Sequence, residues 1–377
     1  MTLFEEDKFF DYKFPEPQYL GAKYKLLGWI KKYIPTDVRT AFDAFGGSQS
    51  VAFMFKQMGL TTITNDFLNC NNQIGKSLIE NSKETLTEND ISVLFGDNSS
   101  PDRYDLMKNL YSGLFFTEED SDFIDAYRSN IERLDDSYKQ AMALTIMNRS
   151  LTRKVTMGHF AHTQALVYAS NPDRIKRNRS LIRPIKELFL ELLPQYNQAV
   201  FDNGCANISY NDDTIHLLPQ LRNVDLVYFD PPYCGSHPDY QSFYHLLETY
   251  TEYWKDKSFV NGTRRYEPQR HSGFDKKCEV IKSFEKLFEA ARDIPYWIIS
   301  YNDRSFPTKD DFIKLVSEYH DVEVVERAYD NNYGGKGSVK GSKELLFICK
   351  SKKPHVFLDN SLSVFNNKYT AKIQVAQ

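Results

Sequence analysis

The sequence predicts an α/β fold in which a largely helical insertion separates two blocks of alternating strands and helices. Three observations carry this prediction. A strand, a glycine turn, a helix, another glycine and a second strand follow one another between residues 40 and 64. A second alternating block begins near Ala206, and residues 98–198 between the blocks have helical patterning. Since parallel strands are joined through a crossover helix, this alternation is typical of βαβ units.

The first βαβ unit is built around a Gly-Gly pair. Residues 40–45 (TAFDAF) predict a short buried strand that ends at these glycines. Residues 50–58 (SVAFMFKQM) predict a helix that ends at Gly59, because glycine is favoured just beyond a helix C-terminus. The β-branched run 61–64 (TTIT) then predicts a second strand, parallel to the first.

The second block contains four predicted strands and one amphipathic helix. Residues 225–229 (DLVYF) predict a buried strand that ends before two prolines, which cannot donate to a β-ladder. Residues 280–291 predict the amphipathic helix. The remaining strands are predicted at residues 296–301, 322–328 and 344–349.

These elements divide the chain into four segments. Residues 1–97 and 199–350 form the two halves of the α/β unit, and residues 98–198 form the insertion. Residues 351–377 are interpreted as a C-terminal tail, either an added strand or a loose end.

Composition excludes several classes of protein. The 377 residues are 41% hydrophobic and 26% charged, as in ordinary globular proteins. No run approaches about eighteen apolar residues, and acids interrupt the N-terminus, so we expect neither a membrane span nor a secretory signal. The five cysteines are scattered without a Cys-x-x-Cys pair, which favours a reduced cytoplasmic protein without a metal site.

Charge is distributed unevenly along the chain. The formal net charge is −4, but residues 149–186 hold nine bases against one acid. A local excess of +8 is the pattern that attracts a phosphate backbone, although a solvated helix face is the alternative interpretation. The candidate contacts in this stretch are Arg149, Arg153, Lys154, Arg174, Lys176, Arg177 and Arg179.

A second basic stretch, residues 255–277, carries seven bases and three acids. It follows the strand predicted at 225–229 and supplies Arg264, Arg265 and Arg270 as further candidate phosphate contacts. A surface loop without a ligand is the alternative interpretation.

The most distinctive motif is the tetrapeptide formed by Asp230, Pro231, Pro232 and Tyr233. It lies at the carboxyl end of a predicted buried strand, where open α/β sheets bind ligands. A simple turn would explain both prolines, but neither the carboxylate before them nor the aromatic ring after them.

The tetrapeptide suits an exocyclic amino group on a planar heteroaromatic ring. The Asp230 carboxylate and the Pro231 carbonyl are two hydrogen-bond acceptors, Pro232 fixes the turn, and Tyr233 offers a ring for stacking. Acceptors on both N–H bonds favour attack by the nitrogen lone pair on an electrophilic methyl group, and the carboxylate offsets the developing positive charge.

Other blocks accompany the tetrapeptide in a defined order. They are residues 19–23 (YLGAK), 42–51 (FDAFGGSQSV), 211–218 (NDDTIHLL), 244–249 (YHLLET) and 300–302 (SYN). In order and spacing the chain resembles the Dam-like adenine-specific DNA methyltransferases over residues 18–97 and 206–350. The resemblance implies a Rossmann-like S-adenosylmethionine-dependent methyltransferase fold, with the insertion as a helical target-recognition domain.

The resemblance also implies a set of residues that bind S-adenosylmethionine. Glycines permit the backbone to approach the methionine portion closely, although Gln49 stands where the family often has glycine. Asp66 would hold the ribose hydroxyls, Lys23 would contact the carboxylate, and Asp213 or its neighbour Asp212 would receive the adenine amino group. The full set is Tyr19, Gly21, Lys23, Asp43, Phe45, Gly46, Gly47, Ser48, Asp66, Phe67, Asp212 and Asp213.

The activity implied is methyl transfer to N6 of an adenine that is flipped out of double-stranded DNA, with no metal. The basic stretches would contact phosphates and guanine edges. The biological setting implied is a restriction-modification system, with the endonuclease encoded separately.

Four alternatives stay open at this point. Cytosine-N4 methyltransferases more often carry serine at the position of Asp230, and enzymes acting on RNA adenine or protein glutamine more often carry asparagine there. An inactive DNA-binding relative is indicated only by Gln49. A bifunctional restriction-modification enzyme would need a nuclease motif, and none is visible in the sequence.

Overall fold

The computed structural model describes residues 10–19, 21–97, 104–155, 158, 160, 165–234, 240–254, 257–260, 263–268, 270–328 and 341–352. Within these ranges the chain forms a seven-stranded sheet with helices on both faces. The strands are β1 (Thr40–Asp43), β2 (Thr61–Asn65), β3 (Ile208–Tyr210), β4 (Leu226–Phe229), β5 (Tyr296–Asn302), β6 (His320–Ala328) and β7 (Lys343–Ser351).

The strand order is β3-β2-β1-β4-β5-β7-β6. The first five strands pair in parallel, and β7 runs antiparallel to both β5 and β6. The chain order reverses between β1 and β4, which is the switch point where open α/β sheets form a crevice. The carboxyl ends of β1, β2 and β4 therefore meet at one edge.

The α-helices are α1 (Leu27–Ile30), α2 (Ser50–Gln57), α3 (Asn69–Gly75), α4 (Glu88–Leu94), α5 (Leu106–Tyr111), α6 (Glu118–Ile131), α7 (Ser137–Arg153), α8 (Ala165–Ala169), α9 (Pro172–Arg177), α10 (Ile185–Asn197), α11 (Thr214–Leu217), α12 (Tyr240–Glu252), α13 (Val280–Ala291) and α14 (Lys309–Ser317). Alternate side chains of the strands serve opposite helical layers. Val227 packs with the layer that contains α13 and α14, and its neighbour Leu226 packs with α1 and α2.

The predicted βαβ unit is confirmed, because β1 and β2 are parallel neighbours joined through α2. The first strand ends at Asp43 rather than at residue 45, since the chain turns toward the glycine pair. The helix predicted at residues 280–291 has those bounds as α13. Strand β3 was not predicted, because three residues are too short to show an alternating pattern.

The insertion is helical in its described parts, mainly residues 104–155 and 165–198, as the sequence predicts. It does not form a separate core. Buried side chains of α6 and α7 pack in one hydrophobic cluster with Phe53 of α2, Leu78 and Tyr244 of α12. The insertion therefore packs against α2 and α12 and shares one hydrophobic cluster with them. The predicted tail lies outside the described residues beyond Lys352.

Candidate active site

The turn after β1 places a carboxylate and two glycines at the switch point. Gly46 donates its backbone N–H to Asn65 O at 2.8 Å, which holds the turn against the end of β2. Gly47 has φ +49°, a left-handed conformation that glycine adopts without strain. Its N–H donates to Asp66 Oδ2 at 2.8 Å. These two backbone N–H groups thus join the turn after β1 to the end of β2.

Gln49 adopts φ +66°, which explains why a glycine would suit this position. The glutamine is retained by side-chain bonds: Thr64 Oγ1 donates to its Oε1 at 2.6 Å, and its Nε2 donates to Asn71 O at 3.4 Å. A Cβ on Gly46 would lie 2.2 Å from Gln49 Nε2. The Gln49 side chain therefore occupies the space that Gly46 leaves, on the side of the turn away from solvent.

Asp43 and Asp66 are both buried beneath this turn. Asp66 accepts from Gly47 N and Leu68 N, both at 2.8 Å, and burial raises its pKa to about 6. Burial, and secondarily the charge of Asp230, raise the pKa of Asp43 to about 8. Asp43 Oδ2 accepts from Ala52 N at 3.1 Å, whereas its buried Oδ1 has no partner among the described residues.

Tyr19 lies beside the glycine turn because two other elements hold it there. Its ring stacks on Tyr244 of α12, with centroids 4.5 Å apart and planes 7° apart. Its hydroxyl accepts from Asn71 Nδ2 at 3.1 Å. Tyr244 belongs to the 244–249 block, so this block holds Tyr19 on the side of the site that is predicted to bind the cofactor.

Asp212 and Asp213 follow β3 at the same edge of the sheet. Asp213 caps α11, since its Oδ1 accepts from Ile215 N at 2.8 Å. Asp212 is more buried than Asp213, and its Oδ1 accepts from Asp213 N at 2.7 Å. Both carboxylates face the same cavity, so the choice between them stays a prediction.

Asp230 is the centre of a network that spans the whole sequence. Lys23 Nζ lies 2.9 Å from its Oδ1 and 2.7 Å from its Oδ2. Tyr233 Oη lies 2.7 Å from Asp230 Oδ1 and 2.9 Å from Glu344 Oε1 of β7. Ser300 Oγ donates to the same Glu344 oxygen at 2.6 Å. Asp230 therefore sits between one cation and one hydroxyl.

The glycine turn, the strand-end acids and Lys23 face one cavity of about 390 Å³, within the range of small-molecule sites. Every residue predicted to bind the cofactor lines it, together with Asp230 and Pro232. Pro231 and Tyr233 are not among the lining residues; the Tyr233 ring is half-buried and packs edge-on to Tyr301, with centroids 5.5 Å apart. The site thus brings the predicted cofactor residues and the carboxylate of Asp230 together.

Part of the second basic stretch closes over this cavity. Arg270 Nη1 donates to Phe67 O at 2.9 Å and approaches Asn211 O at 3.4 Å. Phe274 contacts Phe45 edge-on at 5.4 Å, and His271 and Ser272 also line the cavity. Arg270 was predicted as a phosphate contact; the structure places its exposed guanidinium on backbone carbonyls at the cavity, and the phosphate contact stays a prediction.

Three bases of the first basic stretch are engaged by other groups of the protein. Lys154 is buried, lies 2.9 Å from Asp120 and donates to Arg183 O at 2.7 Å. This position does not fit the predicted phosphate contact. Arg153 pairs with Glu191 at 2.9 Å, and Arg149 donates to Gln18 Oε1 at 2.6 Å.

The remaining predicted DNA contacts lie nearer the surface. Those exposed on and after α9 are Lys176, Arg177 and Arg179, with Arg174 half-buried beside them. In the second stretch Arg264 is exposed and Arg265 is half-buried. These six residues stay candidates for DNA binding.

Two further properties concern the described part of the chain only. There, no group of three or more His, Cys, Asp or Glu side chains is arranged to hold a metal ion. No helix within the same ranges has the length and apolarity needed to cross a membrane.

The sequence analysis missed Glu344, although a signal was present. Glu344 opens the apolar run ELLFIC, and an acid at the start of a buried strand needs a partner inside the fold. Ser300 was noted only as part of the SYN block. Tyr233, which bonds to Glu344, lies 111 residues from it in the sequence, so no local sequence pattern reveals this pairing.

The chain is similar to known proteins over most of its length. A family model described as D12 class N6 adenine-specific DNA methyltransferase matches residues 19–307. Type II methyltransferase M2.HphI of Haemophilus parahaemolyticus is 35% identical over 347 residues, which cover 90% of this chain and 99% of that protein. Type II methyltransferase M.CviAII of Paramecium bursaria Chlorella virus 1 is 27% identical, covering 82% and 90% respectively.

A longer relative, modification methylase LlaI of Lactococcus lactis subsp. lactis, is 25% identical over 88% of this chain and 55% of its own length. The family match spans the glycine turn, the strand-end acids and the Asp-Pro-Pro-Tyr corner that line or flank the cavity. The chain therefore belongs to the D12 class of N6 adenine-specific DNA methyltransferases.

Proposed function

We propose that this methyltransferase uses S-adenosylmethionine and acts on an adenine everted from double-stranded DNA. The observation that carries the proposal is the single cavity at the switch point, lined both by the predicted cofactor residues and by Asp230. In an N6 adenine methyltransferase, the donor and the amino group must meet in one place, and this cavity reaches both sets of residues.

The residues around the glycine turn fit such a cofactor. When bound, S-adenosylmethionine supplies an electrophilic methyl group on a sulfonium. The buried Asp43 Oδ1 without a partner among the described residues is an acceptor suited to a cofactor ammonium group. Asp66 is proposed to bind the ribose hydroxyls, and Asp212 or Asp213 the adenine amino group. Lys23 lies on Asp230, so its contact with the cofactor carboxylate stays a prediction.

Asp230 and the Pro231 carbonyl are proposed to accept the two N–H bonds of the target amino group. These acceptors withdraw the nitrogen lone pair from the ring, and the carboxylate stabilises the positive charge that develops on nitrogen. Tyr233 is proposed to stack on the base, with its orientation fixed by the bonds of its hydroxyl to Asp230 and Glu344. Eversion is required because N6 of a stacked, paired adenine is out of reach of this corner.

The exposed bases on and after α9, together with Arg264, are proposed to contact DNA phosphates. The relatives named as type II methyltransferases support a role in restriction-modification, with a separately encoded endonuclease as the partner system. Sequencing DNA from cells that express the protein would identify the methylated adenine and its sequence context. Cleavage of that context by a cognate endonuclease only before methylation supports the role.

The decisive experiment replaces the reactive carboxylate. Asp230→Ala removes one of the two proposed acceptors, so methyl transfer from labelled S-adenosylmethionine to DNA should fall by at least about a hundredfold. Cofactor affinity, measured by calorimetry, should change little. Asp321→Ala, at an exposed position of β6, is the control. Undiminished turnover in Asp230→Ala would refute the assignment.

A further inference from the structure

Lys23 occupies the acceptor that the target amino group needs. Its ammonium lies 2.7 Å and 2.9 Å from the two oxygens of Asp230 and donates to Gly21 O at 3.0 Å. Tyr233 Oη also contacts Asp230 Oδ1. Both oxygens of Asp230 therefore already accept a donor, and the ammonium of Lys23 competes with an incoming N–H for them.

A second carboxylate lies next to the same ammonium. Glu344 Oε1 is 3.6 Å from Lys23 Nζ, just beyond hydrogen-bond distance. Glu344 is 2% exposed and accepts from Ser300 Oγ, so its position is fixed by the fold. A shift of the ammonium by less than about 1 Å would bring it into hydrogen-bond range of Glu344.

We infer that Glu344 is a positioning residue. When the target adenine binds, the ammonium of Lys23 moves from Asp230 to Glu344, which leaves an oxygen of Asp230 free for the amino group. The inference rests on the proposed function. Lys23 is a flexible chain with a compact charge, so it can move between two carboxylates at small cost, whereas Asp230 is fixed at a strand end. The moved ammonium stays paired, which avoids an isolated buried charge.

Other groups in the network favour this exchange. Burial raises the pKa of Glu344, and the neighbouring ammonium of Lys23 acts against that shift. The approach of Lys23 thus stabilises the ionised form of Glu344. Tyr233 bridges the two carboxylates and can donate to either one, so its hydroxyl can follow the change in charge.

The test compares two DNA duplexes that differ only in the 6-amino group of the target base. One duplex carries adenine and the other carries purine at the methylated position, and both are bound with S-adenosylhomocysteine present. The wild-type protein should prefer adenine about tenfold, as expected for a hydrogen bond to a charged acceptor. Glu344→Gln should reduce that preference to within about twofold. Glu326→Gln, a paired carboxylate on β6, is the matched control.

A double-mutant cycle separates this role from a merely structural one. In a Lys23→Met background Asp230 Oδ2 no longer has the ammonium as a partner, so adding Glu344→Gln should leave the preference for adenine unchanged. If Glu344→Gln binds S-adenosylhomocysteine poorly, Glu344→Asp replaces it; this variant keeps the charge but withdraws it from Lys23 by one methylene group.

Three results would overturn the inference. The preference for adenine could persist in Glu344→Gln, or the substitution could reduce it equally with and without Lys23. If the wild-type protein binds both duplexes equally, the proposed hydrogen bond from the amino group to Asp230 is refuted, and the inference about Glu344 is refuted as well.

Discussion

The ammonium of Lys154, at the C-terminus of α7, lies 2.9 Å from the Asp120 carboxylate in the first turn of α6. Both side chains are largely shielded from solvent, at 5% and 9% exposure. Asp120 also accepts from Ile185 N at the start of α10, at 2.9 Å. One ion pair therefore holds three helices of the insertion together.

Lys154→Met should lower the free energy of unfolding by about 3–5 kcal/mol, because it leaves the buried Asp120 without a counter-charge. The neighbouring pair of Arg153 and Glu191 is more exposed, so Arg153→Met should cost no more than about 1 kcal/mol. Urea denaturation measures both values. Equal losses for the two variants would contradict a structural role specific to Lys154.

Replacing the exposed bases of α9 should affect DNA binding and not the stability of the fold. Lys176→Ala combined with Arg177→Ala should weaken DNA binding and reduce the slope of log affinity against log salt by about 0.9 for each phosphate that the variant no longer neutralises. Stability should not change. Lys282→Ala, at an exposed position of α13, is the control. A salt slope that matches the wild type would exclude α9 from the DNA interface.

These two groups of residues illustrate what local charge could and could not predict. The +8 stretch was summed along the chain, but Asp120 and Glu191 lie 34 and 38 residues away in sequence from the bases with which they pair. Folding brings distant acids onto Lys154 and Arg153, so only part of the basic excess stays at the surface. Charge summed within a window cannot register such pairs.

The residues of the candidate site could be predicted from the sequence more fully than the surface charge, because the topology of a parallel sheet brings strand ends together. Parallel strands present their carboxyl ends at one edge, so Asp43, Asp66 and Asp230 could be placed together once three strands were recognised. Lys23 lining the cavity followed from its motif, but its contact with Asp230 did not. Glu344 escaped prediction because its partners come from β5 and from the turn after β4.

The glycine turn gives a steric prediction. In Gly46→Ala the new Cβ would lie 2.2 Å from Gln49 Nε2 and 2.8 Å from Thr64 Oγ1. Since both neighbours are buried, we expect a loss of stability of about 1–3 kcal/mol and weaker cofactor binding. Gly28→Ala has no atom within 4 Å of the new Cβ and should be neutral or slightly stabilising. Thermal unfolding and calorimetry distinguish these outcomes; a tolerated Gly46→Ala would mean that Gln49 moves freely.

Glu248 of α12 provides a test of how the cofactor side is supported. Its carboxylate accepts from Asn69 N at 2.9 Å and Cys70 N at 2.8 Å, which caps α3 directly after the Asp66 turn. Glu248→Gln removes a charge-assisted hydrogen bond worth about 1.5–3 kcal/mol, so cofactor affinity should fall. Glu252→Gln changes only an exposed contact with Asn69 Nδ2 and should have little effect. Identical affinities for both variants would show that the cap does not orient the turn.

Asp43 should lower the free energy of unfolding as pH rises, opposite to a carboxyl group whose pKa is lowered by folding. Its pKa is raised from 3.8 to about 8 by burial, and by Asp230 to a smaller extent. An unfolded chain releases this proton near pH 4, whereas the folded protein keeps it until about pH 8. Above pH 4 the unfolded state therefore binds fewer protons, and the contribution of Asp43 lowers the free energy of unfolding as pH rises through this window.

Asp43→Asn removes that titration and keeps an oxygen to accept from Ala52 N. Compared with the wild type, the variant should become progressively more stable between pH 4 and pH 8, by up to about 1.4 kcal/mol per pH unit. Above pH 8 the difference should be constant. Chemical denaturation across this range gives the difference directly. Titrating groups that do not interact with Asp43 contribute equally to both proteins and cancel, whereas Asp230 and Asp66, whose charges act on Asp43, contribute to the difference. Parallel stability profiles would mean that Asp43 ionises in the folded protein as readily as it does in the unfolded chain.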